Sequence, residues 1–199
     1  MKTLTKILTA SILALNLTGC PSEEKVQDSV HSIESRVCET QGQETTCQDF
    51  QGTGFAFEQK GLATYILTNR HVIQLHYLSG GNIASSVEVN GKRATIEKIS
   101  NECDLALLKV YGSLAHYDNF KIGMNEGQCG IIHDNSSEMG TCADNLDEYT
   151  ITTSFQGVKG QSGSPVFTYD GKSLLLSGVL TKQSGKSVSY EKIKEFLSE

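Results

Sequence analysis

The chain has 199 residues, 38% of them hydrophobic and 20% charged, with no low-complexity tract and no block of single-sign charge. That composition fits one medium globular domain, or two small ones sharing an interface. A formal charge of −6 without a basic cluster argues against nucleic acid as a partner.

The first residues do not read as part of the fold. "MKTLTK" is a basic start, "ILTASILALNL" an apolar run, and "LTGC" closes it at Cys20. This is the pattern of a secretory signal, and the run falls short of the roughly 20 residues that span a bilayer. Leu17-Thr18-Gly19-Cys20 resembles a bacterial lipobox, which implies a leader over 1–19 and an acylated Cys20 as the first mature residue. Residues 20–35 then read as a polar tether. The expectation is a lipoprotein of the bacterial cell envelope, facing the periplasm or the cell surface, held to the membrane by its acyl chains.

Five further cysteines fit export. Cys38 and Cys47 bracket a polar loop, as do Cys129 and Cys142, so bridges Cys38–Cys47 and Cys129–Cys142 are expected. Cys103 is left over and reads as a buried thiol. There is no C-x-x-C and no Cys/His cluster at ligand spacing, so no metal is expected.

From about residue 50 the chain is a series of short β-type segments between turn signals. "TGFAFE", "ATYILTN" and "SSVEVNGKRATIEKI", with a hairpin signal at Asn90-Gly91, lead to the apolar "DLALLKVY". "GQCGIIH", "EYTITTSF" and "SPVFTYDGKSLLLSGVLTK" follow, the last with a turn signal at Asp170-Gly171. Many short strands with glycine-rich turns indicate an all-β barrel or sandwich. In "SVSYEKIKEFLSE", Val188, Ile193, Phe196 and Leu197 share a helical face, with Ser189 as N-cap, which predicts a short terminal helix.

The chemistry gathers around "VKGQSGSPVF", residues 158–167. A serine hydroxyl becomes a nucleophile only when a base takes its proton, and the base needs a third group to fix its tautomer. A glycine two residues before Ser162 lets the N–H groups of Gly160 and Ser162 converge on a developing oxyanion. A glycine directly after it removes a side chain that would crowd the substrate. Upstream, His71 stands in the polar corner after the strand "YILTN", unlike His31, His76, His116 and His133, which lack such a frame. Asp104 opens the strand "DLALLKV", where an unpaired carboxylate is costly.

Together "TGFAF", "ILTNRHVI", "DLALLKV" and "GQSGSPVF" resemble the chymotrypsin-fold serine proteases of bacteria, of the HtrA/Deg type or the glutamyl-endopeptidase type. The resemblance covers about 50–197. It implies an all-β fold of two six-stranded antiparallel barrels within a domain over 36–199. The first barrel would span about 36–115 and the second about 116–186, followed by a helix over 187–199. It implies a serine endopeptidase acting on protein or peptide through an acyl-enzyme, with no cofactor. His71 would be the general base, Asp104 its orienter, Ser162 the nucleophile, and Gly160 and Ser162 the oxyanion hole.

The substrate pocket would involve Gln156, Gly157, Leu180, Thr181 and Lys182. Leu180 stands where glutamyl endopeptidases carry a histidine, and none of the five is acidic, so an uncharged small or medium side chain is expected before the cleaved bond. No "I-V-G-G" start is visible, so the expectation is activity without zymogen cleavage, or control by a feature the sequence does not show. The rival reading is a catalytically silent protease scaffold that binds peptides.

Overall fold

The computed structural model describes residues 23–73, 82–100, 102–133, 136–145, 149–181 and 185–198. Cys20 and Lys182 therefore lie outside the described residues. A short helix α1 (Glu23–Asp28) leads into β1 (Val30–Gln41), β2 (Glu44–Lys60) and β3 (Ala63–Thr68). The single-turn α2 (Arg70–Ile73) precedes β4 (Asn82–Val89), β5 (Lys92–Ile99) and β6 (Ala106–Tyr111). These strands close into an antiparallel barrel in the order β1-β2-β3-β6-β5-β4. A second sheet comprises β7 (Lys121–Ile122), β8 (Gly127–His133), β9 (Ser136–Asp144), β10 (Thr150–Thr153), β11 (Pro165–Tyr169), β12 (Leu174–Leu180) and β13 (Lys186–Ser189). Pairing of β11 with β12 closes six of these into a ring, and β7 adds in parallel outside it. Helix α3 (Tyr190–Ser198) follows. Among the described residues no helix is long and apolar enough to cross a membrane.

Strands at the junction of the barrels are apolar on both faces because each face meets a different core. In β3, Ile66 points into the first barrel with Ile33, Val89 and Leu108, while Leu67 joins the core between the barrels. In β11, Val166 packs inside the second barrel with Ile131, Ile151 and Leu180, and Phe167 faces the inter-barrel core. There the Phe55 ring meets the rings of Phe120 and Phe167 edge-on, each at 5.3 Å between centroids. Pro165 opens β11, the one strand position where its missing N–H costs little.

The first barrel begins earlier than residue 36. Helix α1 and the first residues of β1 occupy part of the expected tether, with Val26 in the inter-barrel core. The strand escaped notice because two of its inward positions are polar: His31, Ile33, Ser35 and Val37 are buried in alternation. Ser35 Oγ donates to the Val72 carbonyl at 2.8 Å, so its burial is compensated. At the other end β13 runs to Ser189 and the helix starts at Tyr190, three residues later than expected. Ser189 Oγ accepts the Lys192 N–H at 3.4 Å as N-cap. Ile193 and Phe196 are buried, and Lys98 Nζ from β5 donates to the Phe196 carbonyl in the last turn.

Both expected disulfides are present. Cys38–Cys47 ties the tip of the β1–β2 hairpin, and Cys129–Cys142 ties β8 to β9. Loops of this size gain about 3 kcal/mol from closure in the unfolded chain. Asn90 and Gly91 both take positive φ, 47° and 72°, as the two-residue turn between β4 and β5 requires.

That turn also secures His31. Its Nε2–H donates to the Ala115 carbonyl at 2.8 Å, and Nδ1 accepts from Asn90 Nδ2 at 2.9 Å. Burial lowers the pKa of this imidazole, outweighing the Ala115 carbonyl, which raises it. Below about pH 6.5 the unfolded chain takes up a proton here that the folded chain resists. The His31 contribution is therefore flat above that pH and destabilises the fold as pH falls through it. Thermal melts of wild type and His31→Gln from about pH 7.5 to about pH 5 test this. Wild type should lose stability more steeply on acidification; parallel curves would remove His31 as the source.

Candidate active site

Asp104 organises the corner after β3. Its carbonyl accepts from Asn69 Nδ2 at 2.8 Å and from the Arg70 N–H at 3.3 Å, which holds the start of α2 against the segment preceding β6. Its carboxylate then takes two bonds from one residue. Oδ1 accepts the His71 backbone N–H at 2.9 Å, and Oδ2 lies 2.5 Å from His71 Nδ1. A carboxylate is acceptor-only, so Nδ1 carries the hydrogen and Nε2 presents a lone pair. His71 Nε2 is buried and makes no hydrogen bond. A half-buried imidazole fixed at one nitrogen and unpartnered at the other has the geometry of a general base.

Ser162 approaches from the second barrel. Its carbonyl accepts the Thr53 N–H at 2.8 Å, and Thr53 Oγ1 donates to the Gly160 carbonyl at 2.8 Å. The Thr53 carbonyl in turn accepts from Thr68 Oγ1 at 2.7 Å, one residue before Asn69. A side chain on Gly52 would strike both Val72, at 2.5 Å, and the Ser162 carbonyl, at 2.8 Å. Val72, next to His71, and Ser162 thus abut the same point of β2. His71 Nε2 has no hydrogen-bond partner, so among the described residues no Ser162–His71 bond is formed.

The glycines flanking Ser162 have separate jobs. Gly160 takes φ of +95°, and the space beside it is open. Gly163 takes φ of +92°, and a Cβ there would lie 1.9 Å from the Thr53 carbonyl oxygen and 2.5 Å from Thr68 Oγ1. The missing side chain at 163 therefore makes room for the first barrel, where the sequence reading assigned it to the substrate.

Around the expected pocket, Gln156 is exposed, and Gly157 and Thr181 are half-buried. Leu180 is wholly buried among Ile131, Ile151, Phe155 and Val166. Cys103 is a half-buried free thiol whose Sγ donates to Ser100 Oγ at 3.1 Å. Burial raises its pKa, which leaves it largely protonated and a poor nucleophile. Among the described residues no three His, Cys, Asp or Glu side chains converge as metal ligands. Sequence reasoning missed Thr53, although it lies inside "TGFAF", and passed over Asn69 in "TNRH".

Residues 52–175 match a family model for the trypsin-like peptidase domain. The chain belongs to the trypsin-like peptidase family. Among solved structures it is similar to the crystal structure of Deg5, with a TM-score of 0.59 at 17% identity. The alignment covers 94% of this chain and 92% of that one. At such low identity the likeness shows the fold alone, here the two-barrel fold of this peptidase family. No curated protein matches the sequence.

The contact at Gly163 has a measurable cost. Gly163→Ala and Gly171→Ala both force alanine to positive φ, +92° and +87°, but only the first meets another strand. The φ term alone is about 1–2 kcal/mol. Gly163→Ala should therefore lower the melting temperature clearly more than Gly171→Ala in parallel melts. Equal losses would mean that Thr53 is not pressed against this loop.

Proposed function

We propose that this trypsin-like peptidase is a serine endopeptidase that cleaves peptide bonds through His71, Asp104 and Ser162. The observation that carries the reading is the buried, unpartnered Nε2 of His71, set opposite an Asp104 contact that fixes the ring tautomer. Ser162 Oγ attacks the scissile carbonyl carbon as its proton passes to His71 Nε2. Asp104 keeps its negative charge and stabilises the imidazolium. The N–H groups of Gly160 and Ser162 receive the oxyanion, worth on the order of 10²–10³ in rate per donor. His71 then gives its proton to the leaving amine. In the second half-reaction a water loses a proton to His71 and hydrolyses the acyl-enzyme, regenerating the serine.

The Ser162–His71 bond that begins this cycle forms on substrate binding, since catalytic contacts of this kind are often completed only in the substrate complex. Of the residues expected around the pocket, Leu180 is buried core, and none of Gln156, Gly157 and Thr181 is a carboxylate that would receive a basic side chain. An uncharged small or medium residue before the cleaved bond fits it best.

A fluorophosphonate probe reacts only with an activated serine and tests the reading directly. Labelling of the wild type should vanish in Ser162→Ala and fall at least about 10³-fold in His71→Ala and Asp104→Asn. A folded wild type that takes no label would favour a silent, peptide-binding scaffold instead.

The enzyme works at the bacterial envelope through an acylated Cys20. Only Pro21 and Ser22 separate that cysteine from α1, so the domain sits close to the bilayer rather than at the end of a long tether. Radiolabelled palmitate supplied to expressing cells should enter the protein and be lost in Cys20→Ala. Equal incorporation in both would end the lipoprotein reading.

A further inference from the structure

Gln161 stands directly before Ser162, yet its side chain is almost wholly buried, at 3% exposure. Its Oε1 accepts the Val158 N–H at 2.9 Å, and its own N–H donates to the Val158 carbonyl at 3.1 Å. Residues 158–161 are thereby closed into a tight turn containing Gly160. The Gln161 carboxamide nitrogen reaches across to the β8–β9 hairpin, 2.7 Å from His133 Nε2 and 3.1 Å from Glu138 Oε1.

The protons in this cluster can be assigned from its donors and acceptors. Ser136 Oγ donates to the His133 carbonyl at 2.9 Å and lies 3.5 Å from His133 Nδ1, so it is free to accept from that nitrogen. With the ring hydrogen on Nδ1, His133 Nε2 accepts from Gln161, which donates its second hydrogen to Glu138. One close approach remains unfavourable. His133 Nε2 and Glu138 Oε1 are 3.0 Å apart, acceptor against acceptor. A proton added at Nε2 turns that repulsion into an ion pair, and sets a ring N–H against the Gln161 amide. Rotating the amide offers no escape, because its nitrogen would then face the Val158 N–H.

We propose that Gln161 is the positioning residue of the nucleophile loop, held by neutral His133 and Glu138 and released when His133 is protonated. The kinetic consequence rests on the protease reading above; the geometry does not. As pH falls, the imidazolium pairs with Glu138, the amide loses His133 as an acceptor and shares Glu138 with the ring, and the turn that aims the Gly160 and Ser162 N–H groups slackens. Few other charges bear on the ring. Lys159 is exposed on the loop itself, and Glu126 and Asp144 lie at the far end of the β8–β9 hairpin. The paired strand β11 carries no charge in "PVFTY". Strand β1 also packs on β8, but its His31 is bonded to Ala115 and Asn90 instead. Asp134 lies outside the described residues.

The test combines pH profiles with an observation independent of activity. Two groups, His71 and His133, must both be neutral, so log kcat/KM of the wild type should fall on the acid side with a slope approaching two. His133→Leu removes the acceptor and should lower kcat about 10²-fold with little change in KM, leaving a slope of one. His133→Gln supplies an acceptor that does not titrate; it should recover most of the kcat lost in His133→Leu and keep a slope of one. Glu138→Gln should move the second limb to lower pH, since the imidazolium loses its carboxylate. Gln161→Leu should match His133→Leu.

In parallel, NMR should show the Gln161 side-chain amide shifting at the same midpoint as the His133 ring. A wild type that labels with fluorophosphonate but shows a slope of one, or kcat unchanged in both leucine variants, overturns the proposal. Coupled NMR midpoints in a protein that never labels would keep the clamp and discard the protease.

Discussion

Thr53 joins the two barrels, tying the loop that bears Ser162 to the strand that leads to His71. Its N–H and hydroxyl hold the carbonyls of Ser162 and Gly160, while its own carbonyl holds Thr68 at the end of β3. A single residue of β2 thus anchors the loop bearing Ser162 and the strand leading to His71. Thr53 is 1% exposed, so these bonds do not compete with water, and breaking one would strand a buried polar group at a cost of about 1–3 kcal/mol. Gly163 is the steric counterpart, since only a residue without Cβ lets the loop lie against that strand.

Around this seam an apolar core built by both barrels does the holding. Phe55 and Leu67 from the first, Phe167, Leu176 and Val179 from the second, and Ile193 and Phe196 from α3 form one cluster. The terminal helix therefore acts as a brace across both barrels, capped at its end by Lys98 of the first. With the barrels locked, a corner such as Asn69–His71 keeps a fixed position relative to the loop bearing Ser162.

Three histidines illustrate how partners decide behaviour. His31 faces a carbonyl and an amide N–H, both satisfied only by the neutral ring, and serves the fold. His71 faces a carboxylate at one nitrogen and has no hydrogen-bond partner at the other. His133 meets an amide donor and a carboxylate at the same nitrogen, and no single protonation state satisfies both. Residue type is common to all three; the atoms within about 3 Å are not.

The sequence by itself determined the strand-rich class and the terminal helix, and it pointed to the two disulfide pairs and the neighbourhoods of His71, Asp104 and Ser162. These are legible because each rests on local pattern: apolar runs, turn residues, short cysteine spacings, and motifs in a fixed chain order. Only the tertiary structure decided that β1 starts at Val30, because burying His31 and Ser35 breaks the apolar alternation that marks a strand. It also decided that Gly163 serves the barrel seam, that Leu180 is buried core, and that Gln161 is bonded to His133 and Glu138. Contacts such as Thr53 to Ser162 join residues more than a hundred positions apart, and no local pattern encodes which backbone groups will meet once two barrels have packed.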